Sequence, residues 1–390
     1  MSQTALERAS EIGDWIVAQR RYFHQHPELS YKEYHTTEKV KEELEKMGIE
    51  TKTITDTGVI GIIEGKAPGK VLGLVADIDA LPVKEDTGLP FSSENPGIMH
   101  ACGHDAHTAM LLGAAKILSS LKEELKGTVK LIFQPAEEEG TGARSIIDAG
   151  VLTAPDVNSV FRMHAFADLP TGFAVVQEGP LLASADDWKL EITGVQCHGS
   201  APWQGVDANI CAAAVVQGLQ TIVSRVNDAR LPIVLNVGTI SGGQRFNITS
   251  GKVTLEGMNR TFSEDVRQQL PKWMERMIKG ICEAYGCEYK FDYHFLCGAI
   301  VNDASMTKGV RNAVEKVIGK ERTLQIEKNM GSDDFAEYLL HVPGSYIGLG
   351  CGNKAKGCIH PQHSDHFMID EDALAIGTAC YIQTALDYLS

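Results

Sequence analysis

The chain has 390 residues and an ordinary apolar fraction of 43%, which suits two domains or one large one. A formal charge of −15 excludes nucleic acid and anionic membrane as partners, since both demand a basic face. Acidic residues precede any apolar block at the N-terminus and no run approaches the ~18 apolar residues of a membrane span, so neither a signal peptide nor a spanning helix is expected.

In chain order, "TTEKVKEELEKMGIE" places Val40, Leu44 and Met47 at helical spacing, with Gly48 as a C-cap. "VIGIIEG" and "KVLGLVADIDALP" read as strands, the second running straight into a loop. "TAMLLGAAKILSSLKEEL" is a helix apolar on most faces, hence buried. "TVKLIFQPAEEEG" is a strand that stops at Pro135 and spills into three glutamates. "VNSVFRMHAF" is a short strand ending at His164. Such alternation predicts a mostly parallel sheet covered on both faces.

Between residues 183 and 296 the pattern changes. "DDWKLEITG", "ANICAAAVVQGLQTIVSRV", "PIVLNVGTISGG", "KVTLEGMNRTF", "EDVRQQLPKWMERMIKGICEAYG" and "EYKFDYHFL" give β-α-β-β-α-β, the split ferredoxin-like order. Helix–strand alternation then resumes through "ASMTKGVRNAVEKVIG", "SDDFAEYLLHV", "SYIGLG" and the last helix, "EDALAIGTACYIQTALDYL". The expected architecture is an α/β domain of residues 1–182 and 297–390 interrupted by an inserted α+β domain, 183–296.

Ligands of open parallel sheets bind beyond the carboxyl ends of the strands. Unusual polar residues collect there: Asp77 and Asp79 after "LGLVA", Glu137 to Glu139 after "KLIFQPA", His164 after "SVFRM", and "CIHPQHSDHF" after "SYIGLG". "HACGHDAH" precedes the buried helix. Cys102 and His104, two residues apart, converge only in a loop at the helix entrance, with Gly103 supplying an unusual backbone angle. A helix N-terminus and a nearby cation both favour thiolate. Thiolate, imidazole and carboxylate together are a ligand set for zinc and similar divalent metals. The competing readings are a buried thiol beside a polar turn, and a cysteine nucleophile, which would leave the acidic loops without a task. The nine scattered cysteines otherwise fit reduced thiols of a cytoplasmic protein.

The stretches "RRYFHQHPELSYKE", "ADIDALPV", "MHACGHDAHTAMLLGAA", "FQPAEEEGTGA", "HGSAP", "GTISGGQRFNI", "RTF", "GSDDFAEYL" and "HSDHFMIDEDAL" run from residue 20 to 374. In this order they resemble the co-catalytic metallopeptidase superfamily of aminoacylases, hippurate hydrolases, carboxypeptidase G and auxin-conjugate amidohydrolases. The resemblance implies two divalent ions, zinc, manganese, cobalt or nickel, bridged by Cys102 and completed by His104, Glu138, His164 and His363. It implies Glu137 as general base, Asp79 as the residue orienting a ligand imidazole, and Glu139 as a solvent-facing extra. In the inserted lid and dimerisation domain, His198 matches a residue that polarises the scissile carbonyl, usually from a partner subunit, while Asn247 and Arg260 match substrate-holding residues. The implied substrate is an N-acyl amino acid or short peptide, with a dipeptidase or carboxypeptidase as the alternative, in a homodimer or homotetramer. A metal-dependent binding protein without turnover is the rival of another class; a base beside the ligands speaks against it.

Several residues depart from the family pattern. Trp203 stands where a histidine is usual, "DAN" at 207–209 replaces an aspartate-proline turn, and Arg162 and Met163 precede His164 where small or apolar residues are commoner. His24, His26, His100, His107, His294 and His341 read as structural or supporting residues. His360 and His366 compete with His363 on chemistry alone, and Asp77 is left without a ligand role.

Overall fold

The computed structural model describes residues 3–390 and separates into two compact units. One comprises the chain up to Leu181 with Val301–Glu327 and Asp334–Ser390; the other comprises Leu182–Ile300 with Lys328–Asp333.

The first unit is built on an eight-stranded sheet. Its centre is parallel: Lys126–Gln134, Ala67–Asp77, Ser159–Pro170 and Gly344–Gly352 lie side by side in that order. Val59–Glu64 and Glu50–Thr53 extend one edge antiparallel. Two short strands, Ala174–Val175 and Thr323–Leu324, close the other. From Val71 to Asp77 every residue of the central strand is buried, the signature of a sheet covered on both faces. The helix His104–Ser120 is buried along nearly its whole length, as its all-round apolar sequence requires. Gly13–Gln25, Ala304–Ile318 and Asp372–Tyr388 contribute further apolar faces to the same core.

Two local expectations are corrected. His164 does not end its strand, which continues to Pro170 because residues up to Phe166, and then Pro170, keep pairing with Gly344–Gly352. The helix read in "SDDFAEYLLHV" shrinks to Ala336–Leu339, since the aspartates before it are drawn into side-chain hydrogen bonds: Asp334 accepts from Gln134 at 2.7 Å and from the Ala143 N–H at 2.8 Å.

The second unit has the β-α-β-β-α-β order in space as well as in sequence. Glu288–Cys297, Ala185–Thr193, Lys252–Thr261 and Ile233–Gly242 form a four-stranded antiparallel sheet in that order. Ala208–Thr221 and Glu264–Tyr285 pack on one face around Trp188, Leu190, Val215, Leu270 and Ile278. Pro271 sits within the second helix near its N-terminus without ending it. Among the described residues no helix is long and apolar enough to cross a membrane, and all nine cysteines are free.

Candidate metal centre

The parallel strands deliver their polar ends to one place. The strand Ala67–Asp77 runs on to Asp79, Lys126–Gln134 runs on to Glu137 and Glu138, and Ser159–Pro170 carries His164. Cys102 precedes the helix His104–Ser120, with Gly103 as its N-cap at φ 96°. That left-handed turn lets Cys102 and His104 converge on one side of the loop.

Atoms of Cys102, His104 and Glu138 that could ligate a metal all lie within 4.8 Å of one another. The Cys102 Sγ is 3.4 Å from His164 Nε2, and His363 Nε2 is 3.5 Å from a Glu138 oxygen. Glu137 reaches within 3.8 Å of His104 Nε2. The six residues therefore form one cluster, buried except at the partly buried Glu138 and the exposed His363. Neither His360 nor His366 takes the position of His363: their rings pack on each other at 5.3 Å, and His366 Nδ1 lies 2.7 Å from Asp365. His363 has φ 66° and donates its N–H to the Ala101 carbonyl at 2.8 Å, which ties its loop to the one bearing Cys102. Glu139 is exposed.

Both buried histidines are oriented as metal ligands usually are. His104 Nδ1 lies 2.9 Å from the Asp79 carbonyl and 3.2 Å from its carboxylate, so the ring donates there and presents Nε2 to the cluster. His164 Nδ1 lies 3.0 Å from the Ala165 carbonyl and likewise leaves Nε2 toward Cys102. His104 Nε2 is buried, lies 3.3 Å from an Asp77 carboxylate oxygen and makes no hydrogen bond among the described residues. Thiol, imidazole and carboxylate donors around such an atom fit a divalent metal.

Burial dominates the electrostatics of the cluster. Burial, with the Glu138 carboxylate alongside, pushes the Cys102 thiol up to about 12. This reverses the lowering expected from the helix N-terminus, because desolvation outweighs it; the thiolate form that a ligand or a nucleophile requires needs a cation alongside. Burial and then the His107 and His104 imidazoles hold His164 well below its ordinary value, leaving it neutral. Burial opposes charge on His104, yet Cys102 and Asp79 raise its pKa well above the ordinary value, so a proton and a metal compete for Nε2.

Behind the cluster lie residues that the sequence left in supporting roles. His107 Nδ1 approaches Asp77 at 2.5 Å while its Nε2 accepts the Ala165 N–H at 2.8 Å, so both ring nitrogens are committed. Asp77 is in turn ion-paired with the buried Arg162 guanidinium. His24 is buried between Asp105, 2.8 Å away, and Glu85, 3.2 Å away, whereas His26 is half-buried and stacks on Tyr22. His100 is buried, and burial lowers its pKa to about 3. Sequence reasoning missed Ser30, whose hydroxyl donates to Asp79 at 2.6 Å, and Glu33; the only sequence signal is the polar density of "HPELSYKE".

In the second unit, His198 is exposed and its strand segment bridges Ile248; the Gly199 N–H donates to the Asn247 carbonyl at 2.8 Å. These two residues are thus brought side by side. Ser200 donates its N–H to His198 Nδ1 at 3.1 Å, and its hydroxyl lies 2.8 Å from the same nitrogen. Arg260 stands on Lys252–Thr261 opposite Val234, half-buried, with Nη1 making no hydrogen bond among the described residues.

Residues 73–387 match the model described as peptidase family M20/M25/M40. A thermostable carboxypeptidase of Saccharolobus solfataricus is 38% identical over 384 residues, covering 97% of this chain and 96% of its own. An N-acyl-L-amino acid amidohydrolase of Geobacillus stearothermophilus is 41% identical over 305 residues, 77% of this chain and 82% of its own. A Bacillus subtilis crystal structure described as a dinuclear metal binding peptidase of the M20 family superposes with a TM-score of 0.84 at 35% identity, covering 97% of this chain and 99% of that one. With these likenesses over most of its length, and metal-ligating side chains clustered at its strand ends, the chain belongs to the M20/M25/M40 peptidase family.

Proposed function

We propose that the chain hydrolyses the amide bond of N-acyl amino acids to a carboxylic acid and a free amino acid. Cys102, His104, Glu138, His164 and His363 would hold two divalent ions. The observation that carries this reading is the pair of buried imidazoles held through Nδ1, both turning Nε2 toward Cys102, with Glu137 3.8 Å from His104 Nε2. Bound there, divalent ions acidify a water to a pKa of about 7 and polarise the substrate carbonyl.

Glu137 takes a proton from the attacking water and hands it to the departing amine. Asp79 keeps the His104 ring in the tautomer that leaves Nε2 available. His198, with Nδ1 held by Ser200, supplies Nε2 to the carbonyl oxygen as negative charge develops there; a donor of this kind contributes about 3–4 kcal/mol in other enzymes. Arg260 clamps the substrate α-carboxylate, since guanidinium binds carboxylate in a bidentate fork, and Asn247 holds the substrate beside it. The orphaned Arg260 Nη1 supports that role.

The finer assignments belong to the same proposal: zinc, manganese, cobalt or nickel as the ion, a cytoplasmic location, and a homodimer or homotetramer in which His198 acts in trans. The edge strand Ile233–Gly242, with Ile240 60% exposed, and the exposed Ile210 of the neighbouring helix support self-association. The carboxypeptidase named among the relatives favours a second reading, cleavage of peptides on the same scaffold.

N-acetyl, N-benzoyl and free dipeptide substrates assayed side by side separate the two readings. Glu137→Gln is expected to lower kcat about 10³-fold with the metal content of the protein unchanged. Retained turnover in that variant rejects Glu137 as the base.

A further inference from the structure

Glu33 is a fully buried carboxylate with no ion-pair partner among the described residues. Burial and then the charge of Asp79 raise its pKa to about 7. Such a group is costly to keep unless it holds something in place. Its backbone is the N-cap of the helix Tyr34–Lys46, but its side chain does not cap that helix. One oxygen accepts the Ala136 N–H at 2.8 Å, the other the Thr57 hydroxyl at 2.8 Å.

Ala136 is the residue before Glu137, and it sits at φ 54°. An alanine in the left-handed region costs about 1–2 kcal/mol and persists only where its surroundings enforce it. Four hydrogen bonds enforce this loop. The Ala136 N–H goes to Glu33, and the Ala136 carbonyl accepts from the Gly142 N–H at 3.1 Å. The Glu137 carbonyl accepts from the Gly140 N–H at 2.8 Å, and the Glu138 N–H goes to Asp79 at 3.0 Å. A buried carboxylate thus grips the N–H of each residue flanking Glu137. Tyr31, two residues before Glu33, adds a hydroxyl contact to the Thr141 hydroxyl at 2.6 Å.

We propose that Glu33 is a positioning residue for Glu137, acting through the Ala136 N–H to fix the backbone turn that aims the Glu137 carboxylate. The inference rests on the reading of Glu137 as general base. What matters is the placement of an acceptor oxygen, not its charge. Glutamine reproduces both hydrogen bonds, because its oxygen accepts from Ala136 and its amide donates to the Thr57 hydroxyl. Aspartate keeps the charge but withdraws the acceptor by one methylene.

The test uses the full-length, metal-loaded protein and compares Glu33→Gln, Glu33→Asp and Glu33→Ala, with Glu137→Gln as reference. Glu33→Gln is expected to stay within about threefold of wild type. Glu33→Asp and Glu33→Ala are expected to lose about 10²-fold in kcat, with KM and metal content unchanged, the scale of an ångström-level misplacement. Ala136→Gly, which adopts a positive φ freely, is expected to restore severalfold of the loss in the Glu33→Ala background. Wild-type kcat in Glu33→Asp, or a loss in Glu33→Gln equal to that in Glu33→Asp, overturns the proposal; so does a fall in kcat matched by loss of metal. If Glu33→Ala does not fold, the Gln–Asp comparison alone decides. If Glu137→Gln remains active, the reading of the base fails instead, whatever the Glu33 variants do.

Discussion

Gly103 shows how a single backbone angle places two side chains. At φ 96° the residue occupies a region that side chains other than glycine rarely adopt, and a Cβ there would stand 3.1 Å from that of Ala165. Removing the turn would swing Cys102 and His104 apart, because residues two apart on a continuous helix face different ways. Gly103→Ala is therefore expected to cost about 1–2 kcal/mol of stability and to weaken metal binding at least tenfold. Chemical denaturation and a metal titration of the same sample check both, and wild-type metal affinity in this variant would show that the loop tolerates another angle. The orientation of His104 and His164 follows the same logic at atomic detail, since each ring is fixed by a carbonyl oxygen on its Nδ1, that of Asp79 for His104 and that of the next residue, Ala165, for His164.

At the scale of elements, the helix Gly13–Gln25 turns Ile16, Gln19, Arg20, Phe23 and His24 inward. Two of these make polar contacts to the start of the helix His104–Ser120: Arg20 Nε is 2.7 Å and His24 Nδ1 2.8 Å from Asp105. Glu85 completes the joint, accepting the Ser93 N–H at 2.6 Å and facing His24 Nε2 at 3.2 Å. Burial works to raise the Glu85 pKa, but His24, the Ser93 N–H and Thr87 outweigh it and lower the value to about 2. A carboxylate depressed in the folded state stabilises it above the unfolded pKa of about 4.5, and that contribution disappears as pH falls from there toward 2. Glu85→Gln is expected to lose ~1 kcal/mol at neutral pH after solvent screening, and to show a shallower fall of Tm between pH 4.5 and 2 than wild type. Parallel slopes would mean the joint owes nothing to the Glu85 charge. This level also marks how far the sequence can be read. Strands such as Ala67–Asp77 and the ligand run at 100–107 are local patterns, visible as apolar runs and as chemistry at fixed spacing. The grip of Glu33 on Ala136 spans 103 positions and that of His24 on Asp105 spans 81, so no periodicity announces them. Nothing in the neighbours of His164 reveals that pairing continues past it to Pro170.

On the scale of the whole molecule, each unit has its own apolar cluster, one spanning Ala5 to Leu389 and the other centred on Trp188. All five proposed ligands, with Glu137 and Asp79, belong to the first; His198, Asn247 and Arg260 belong to the second. Metal binding is linked to folding of whatever unit carries the ligands, and occupancy at 1,000 times Kd adds about 4 kcal/mol per site. The stabilisation should therefore fall on the first unit alone. The four tryptophans make this measurable, since only Trp15 lies in the first unit, while Trp188, Trp203 and Trp273 lie in the second. In Trp15→Phe the indole fluorescence reports the second unit by itself, and Trp15 is only partly buried against its core, so the substitution is mild. Chelation is expected to lower the main calorimetric transition by several degrees while the fluorescence midpoint stays where it was. Should both midpoints fall together, the two units unfold as one cooperative block, and separate cores would not mean separate stabilities.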